Sequence, residues 1–213
     1  MPYPPPAAPP ALIRRLPGLT GYDASVTAMR EFTAARGPDT PDELWLLEHP
    51  PVFTFGLNTN PAHLLSAGGI PVVQADRGGQ VTYHGPGQLV AYLLLDLQRA
   101  GLGIRQAVSA LEDAVIGLAA GHGISAYARC EAPGVYVAGA KLASIGLRVR
   151  RGCTYHGLAL NVDMDLAPFA GINPCGYPGL QVTSLALLGG PSDLDAVAAE
   201  LAAILLQKLN LRR

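Results

Sequence analysis

Charged side chains are scarce in this chain of 213 residues: Asp, Glu, Lys and Arg together make up 15%, and the formal net charge is −1. No long Lys/Arg block occurs, which removes the electrostatic basis for sequence-independent nucleic-acid binding. There are three cysteines, Cys130, Cys153 and Cys175, widely spaced and without a CxxC pair. That spacing argues against a disulfide framework and against a zinc knuckle, so no metal is expected and a reducing compartment fits best. No apolar run approaches the roughly 18 residues of a membrane span. The opening MPYPPPAAPP also lacks the basic region and apolar run of a secretory signal, so the expected location is the cytoplasm. A GxxxxGK[ST] loop is absent, as is a GxGxxG opening a helix, which leaves nucleotide binding without direct support. No repeat of solenoid length is visible.

What is present is apolar material, 49% of residues, together with 25 glycines and 19 prolines. That is enough to offset the conformational entropy of ordering one core, and the length fits a single domain. Residues 1–11 read as a Pro-rich, mobile leader, because proline removes the N–H groups a helix or sheet needs. Residues 12–213 then form the folded domain. Thr20-x-x-Asp23 resembles a capping box for a helix carrying Tyr22, Val26, Met29 and Phe32 up to Gly37. Glu43 to His49 and Val52 to Gly56 read as strands separated by a turn or bulge at Pro50-Pro51. Pro71 to Arg77 and Gln88 to Leu97 are further strands. Ile104, Val108, Leu111, Val115 and Leu118 form the stripe of a second helix ended by Gly121 and Gly123. From Tyr127 to Val162 the apolar spacing approaches two, with turns at Pro133-Gly134, Gly139 and Gly152, which predicts an antiparallel meander. A last helix starts near Ser192 and buries Leu194, Val197, Leu201, Ile204 and Leu205, with Lys208 at its negative end. Strands and helices are segregated, so the fold class is α+β, with helices packed on a mixed or mainly antiparallel sheet.

Three segments carry chemistry. RGGQVTYHGPGQ places glycines where a strand would prefer β-branched residues, and each has an entropic cost of about 0.5–1 kcal/mol. Glycines let backbone approach a ligand, while Arg77, Thr82 and His84 supply polar groups. An ordinary hairpin with a structurally satisfied histidine is the alternative. Lys141 is in phase with Ala143, Ile145, Leu147 and Val149, so unless a bulge intervenes its amine points to the apolar face, where burial disfavours the ammonium form. A strand-end lysine snorkelling to water is the other reading. Cys175 sits in Asn173-Pro174-Cys175-Gly176-Tyr177-Pro178-Gly179, a sharply bent, constrained loop unlike the usual setting of a core cysteine. A nearby lysine ammonium would favour the nucleophilic thiolate, and a neutral lysine could accept the thiol proton. Cys130 and Cys153 lie beside arginines and could be mildly reactive; a Cys-His pair using His84 or His156 is a further arrangement. Arg148, Arg150 and Arg151 are either a solvated strand end or a dock for an acidic protein.

Taken in order, RGGQVTYHGPGQLVAY, GAKLASIGLRVRRGCTYHGLALNVDM and NPCGYPGLQVTSL closely resemble the octanoyltransferase, or lipoyl(octanoyl) transferase, family of lipoate biosynthesis. The likeness runs from about residue 12 to 209, includes Glu48-His49-Pro50-Pro51-Val52-Phe53, and shows no departure at the key positions. The resemblance implies a fold shared with the catalytic domain of biotin and lipoate protein ligases. It implies an acyltransferase in which Cys175 forms an octanoyl thioester and Lys141 promotes thiol ionisation and carries protons. Arg77, Gly78, Gly79, Gln80, Val81, Thr82, Tyr83, His84, Ser144, Ile145, Gly146, Gly157, Leu158 and Ala159 would line the acyl site. The donor would be octanoyl-4'-phosphopantetheine on acyl carrier protein. The acceptors would be lipoyl domains of 2-oxoacid dehydrogenase E2 subunits and the glycine cleavage H protein. No ATP or other cofactor, no nucleic acid, no membrane and a monomer are implied. The rival readings are an ATP-dependent lipoate or biotin ligase of the same fold and a non-catalytic acyl-carrier-binding protein.

Overall fold

The computed structural model describes residues 9–212. Of the expected leader, residues 1–8 lie outside that range, while Ala11 is buried and its N–H donates to the Arg212 carbonyl at 2.7 Å. In chain order the elements are β1 (Leu12–Leu19), α1 (Tyr22–Ala35), β2 (Glu43–Glu48), β3 (Val52–Phe55), β4 (Val72–Gln74), β5 (Thr82–His84) and β6 (Gln88–Leu94). There follow α2 (Leu97–Ala100), α3 (Ile104–Gly121), β7 (Tyr127–Ala128), β8 (Gly134–Val137), β9 (Ala140–Arg150), β10 (Cys153–Asn161) and α4 (Leu194–Lys208).

Seven strands form one sheet in the order β1-β2-β6-β10-β9-β8-β7, and β4-β3-β5 form a second. Both are mixed, since β1 runs parallel to β2 and β3 parallel to β4 while the other pairs are antiparallel. The expected α+β class holds. The central strands are buried on both faces, and their alternation shows how. Leu44, Leu46, Leu89, Ala91 and Leu93 join the main core, which also takes in Leu111, Val115, Leu118, Leu201 and Leu205 of α3 and α4. Trp45, Leu47, Val90, Tyr92 and Leu94, one residue out of phase, pack with Tyr22, Val26 and Met29 of α1. The meander from Tyr127 onwards is present as β7 to β10.

Several local expectations change. Helix α1 starts at Gly21 with no side-chain cap, so the Thr20-x-x-Asp23 capping box is not formed. Thr20 is occupied elsewhere: its N–H donates to Glu48 and its carbonyl accepts from His49. Pro50-Pro51 is no bulge within a sheet; it is where the chain leaves the large sheet, after β2, for the small one at β3. The last helix is capped by Asp193, whose carboxylate accepts from the Asp195 and Ala196 amides. Strand β1 had no legible pattern because only Ile13 and Leu16 are partly buried, and Arg15 reaches Asp195 of α4 at 2.7 Å. In α3 the expected stripe is core only from Leu111 onward, since Ile104 is 42% exposed.

Gly157 fixes how closely β6 and β10 approach, because a Cβ there would lie 1.9 Å from the Ala91 carbonyl oxygen. Backbone cannot yield as a side-chain tip does. Gly157→Ala is therefore expected to lower the unfolding free energy by about 2–4 kcal/mol, measured by urea denaturation.

Candidate active site

The site begins with an irregularity in β9. Val135 pairs with Ala143 but Tyr136 pairs with Lys141, which leaves Leu142 as an extra residue. Consecutive Leu142 and Ala143 both enter the main core, and Lys141 drops out of phase with Ala143, Ile145, Leu147 and Val149, which corrects the regular alternation expected for it. The amine is nevertheless buried, at 2% exposure. Gly134 makes room for it, because a Cβ there would sit 2.8 Å from Lys141 Cε. The backbone at φ 143° is also one that glycine tolerates best.

The segment after Cys175 docks onto that irregularity. The Lys141 N–H donates to the Gln181 carbonyl at 2.8 Å, and the Thr183 N–H donates to the Lys141 carbonyl at 2.9 Å. This strap returns Cys175 to the lysine, and Lys141 Nζ donates to Cys175 Sγ at 2.7 Å. Nζ also donates to the Pro133 carbonyl at 3.1 Å and to Tyr136 Oη at 3.2 Å. Three hydrogens of an ammonium thus meet three acceptors. Cys175 itself lies at φ 55°, ψ 18°, a left-handed conformation costing a non-glycine residue about 1–2 kcal/mol. Strain of this kind is typical of functional positions. The bend is held from below by the Asn173 N–H donating to the His63 carbonyl at 2.8 Å.

Neither of the other thiols is placed for chemistry. Cys153 is buried, burial pushes its thiol up, and its nearest acceptor is the Arg151 carbonyl at 3.8 Å. Its place is that of a structural cysteine, the role expected of it over the mild reactivity that Arg151 could lend. Cys130 is exposed and away from the described network. Among the described residues no cluster of three metal-ligating side chains occurs.

Cys175 stands where an inner pocket meets an outer cleft. Arg77, Gly79, Gln80, Val81, Thr82, His84, Ser144, Ile145, Gly146, Gly157, Leu158 and Ala159, all expected from the sequence, line the inner pocket with Cys175. Two expected residues do not: Gly78 lines the outer cleft, and the Tyr83 ring packs between Phe53 and Phe169, each 5.4 Å away. Sequence reasoning missed Tyr22, Val90 and Tyr92 in the pocket wall, and Ile104, Val108, Ala132, Pro133 and Tyr177 in the cleft. For Ile104 and Val108 the signal was present, since both belong to the apolar stripe of α3 yet stay partly exposed.

A polar chain runs beneath the pocket. Arg77, fully buried without a carboxylate partner, donates to the Thr54 carbonyl at 2.7 Å, to Thr54 Oγ1 at 2.8 Å and to the Gly78 carbonyl at 3.0 Å. Burial lowers its affinity for the proton. His84 Nδ1 lies 2.7 Å from Gln88 Oε1, and Gln88 Nε2 donates to the Tyr83 carbonyl and to Asn161 Oδ1. Gln88 Oε1 is therefore the acceptor and His84 carries its proton on Nδ1. Asn161 Nδ2 then donates to the Thr183 carbonyl at 2.8 Å, so the chain ends on the strap. Burial, then His49 and Arg77, push His84 well below the usual imidazole range. His156 Nε2 donates to Asp76 at 2.8 Å, and this bond, though opposed by burial, holds the carboxyl well below its usual range. Neither histidine bonds Cys175, so a Cys-His nucleophile pair is not formed; the sulfur's partner is Lys141.

Burial likewise lowers His49 from 6.5 to about 4. An unfolded imidazole takes up its proton first on acidification, so the stability present above about pH 6.5 is lost as pH falls towards 4. Urea unfolding is expected to show a loss of about 2 kcal/mol from His49 between roughly pH 7 and pH 5, and His49→Gln should remove that part of the fall.

Residues 22–206 match the Lipoyl protein ligase A/B catalytic domain family. The chain is 62% identical over 185 residues to the Octanoyltransferase of Alkalilimnicola ehrlichii, covering 87% of this chain and 86% of the relative. It is 59% identical over 200 residues to the Octanoyltransferase of Methylococcus capsulatus, covering 94% and 97%. Among solved structures, a putative lipoate protein ligase from T. acidophilum superposes with a TM-score of 0.74 at 16% identity over 97% of this chain and 88% of the other. A lipoate-protein ligase A bound with ATP gives 0.73 at 15% identity over 97% and 87%. Biotin protein ligase from Aquifex aeolicus gives 0.56 at 13% over 93% and 69%. The structural likenesses establish the shared fold and the sequence identities the family: this chain belongs to the octanoyltransferases of the lipoyl protein ligase A/B catalytic-domain family.

Proposed function

We propose that the protein moves an octanoyl group from octanoyl acyl carrier protein to a specific lysine of a lipoyl domain, through a thioester on Cys175. The observation that carries this reading is the 2.7 Å approach of Lys141 Nζ to Cys175 Sγ where a mostly apolar pocket meets a wider cleft. The pocket suits the acyl chain and the cleft suits the arm that delivers it. The reading places the reaction in the cytoplasm; no described helix is long and apolar enough to cross a membrane.

The steps balance around one proton. The Cys175 thiolate attacks the thioester carbonyl of octanoyl-4'-phosphopantetheine, and the tetrahedral oxyanion is met by backbone amides near the glycine-rich loop or Cys175. As the carrier's sulfur leaves, the Lys141 ammonium gives it a proton and becomes neutral. The acceptor lysine, on the lipoyl domain of an E2 subunit or of the H protein, enters as a free amine and attacks the acyl-enzyme. Neutral Lys141 takes the amine's proton, the amide forms, and Cys175 leaves as thiolate, restoring the starting pair. A thioester is already activated, so the reaction as proposed consumes no ATP.

Intact-mass spectrometry of the protein mixed with octanoyl acyl carrier protein, without ATP, is expected to show an octanoyl adduct. Cys175→Ala should show none, and Lys141→Ala should form it at least about 100-fold more slowly. Activity only with ATP and free octanoate would move the chain to the ligase reading, and binding of the carrier without acyl transfer to the non-catalytic one. A narrow apolar slot for the chain predicts that octanoyl carrier outpaces hexanoyl and dodecanoyl carriers; equal rates would remove the slot from the argument.

A further inference from the structure

We infer that Tyr136 is a positioning residue that, together with the Pro133 carbonyl, fixes Lys141 so that its third valence points at Cys175. The inference rests on the Cys175–Lys141 reading above and adds what makes that pair work without rotation. Tyr136 is fully buried, and its hydroxyl donates to the Ala132 carbonyl at 2.8 Å. With its one hydrogen committed there, the oxygen can only accept from Lys141, at 3.2 Å. The Pro133 carbonyl, at 3.1 Å, is likewise an acceptor only.

Two of the three free directions on Nζ must therefore always hold N–H bonds. The third lies along the 2.7 Å line to Sγ, and it alone can alternate between N–H and lone pair. In the ammonium state it donates to thiolate; in the neutral state it accepts from thiol. Proton exchange between nitrogen and sulfur then needs no side-chain rotation, which suits an amine that must give a proton in one half-reaction and take one in the next.

The tyrosine is itself braced. Arg129 Cζ stands 4.3 Å from its ring centroid, and the Tyr127 ring lies 6.1 Å away. Burial pushes the Tyr136 phenol up, so it keeps the hydrogen the geometry requires. The titratable and charged groups facing the trio are Arg129, Tyr127 and Glu131 from β7 and the loop after it, Glu112 of α3 through the Gly134 N–H, His63 and Tyr177 beside the Cys175 bend, and buried Arg77 across the pocket. All of them remain in Tyr136→Phe, which removes a single oxygen.

The test is the pH profile of Cys175 alkylation by iodoacetamide, read by peptide mass mapping, in wild type, Lys141→Ala and Tyr136→Phe. Loss of the hydroxyl disfavours both states that contain the ammonium, so with one proton on the pair the balance moves from thiolate and ammonium to thiol and amine. The neutral-pH plateau of Tyr136→Phe is expected to fall by up to about tenfold, the difference between a hydrogen bond to an ammonium and one to a neutral amine, while the alkaline limit and the thermal midpoint stay near wild type. An unchanged neutral plateau in Tyr136→Phe overturns the assignment, and so does an equal drop at the alkaline limit, which would mark a packing defect. If wild type has no plateau that depends on Lys141, the Cys175–Lys141 reading fails instead, and the two failures are told apart.

Discussion

The pairing of Gln181 and Thr183 with the backbone of Lys141 is the constraint on which the site depends. A cysteine and a lysine 34 residues apart meet because a strap folds back along β9 at the residue where that strand is irregular. The extra residue Leu142 turns Lys141 out of the main core, and Gly134 leaves its side chain a channel. Without either, a buried amine would have no acceptors and would be costly to keep charged. With both, the amine has three.

The strap is held from its other side by the chain of hydrogen bonds from Arg77 through Thr54, His84, Gln88 and Asn161. This network is buried, and burial pushes its histidine, His84, well below the usual imidazole range. A half-satisfied buried network would be worse than an apolar one, but here nearly every polar atom has a partner, so the network rigidifies the pocket floor. The same burial makes the fold sensitive to acid, because imidazoles that fold neutral must be discharged first. Tyr22 Oη and His156 Nδ1 are buried without partners, and both residues stand in the wall of the inner pocket.

Much of this was legible in the chain. The antiparallel meander, the helices α1, α3 and α4 and the α+β class follow from apolar periodicity, which reports the face a residue turns to the core. The glycine-rich segment announced a close backbone approach, and the proline-glycine frame of Cys175 announced a bend. Other features left no local mark. Strand β1 exists because β2 offers it a parallel partner. Thr20 carries a capping pattern yet spends its backbone on Glu48 and His49. Tyr83 sits inside a motif whose neighbours line the pocket, but the strand pleat turns its ring into a separate aromatic cluster with Phe53 and Phe169.

By itself the sequence determined α1, α3, α4, the strands β2, β3, β4 and β6 and the meander after them, that a glycine-rich turn and a sharply bent cysteine loop would exist, and to which family the motifs point. Those properties depend on neighbours along the chain, through backbone preference and side-chain period. Only the tertiary structure decided that Lys141 is the sulfur's partner in place of His84 or His156, that Leu142 breaks the alternation, and that Tyr136 and Pro133 complete the lysine's acceptors. Those are matters of distance and hydrogen-bond direction between residues remote in sequence, and periodicity carries no information about which remote groups will share one proton.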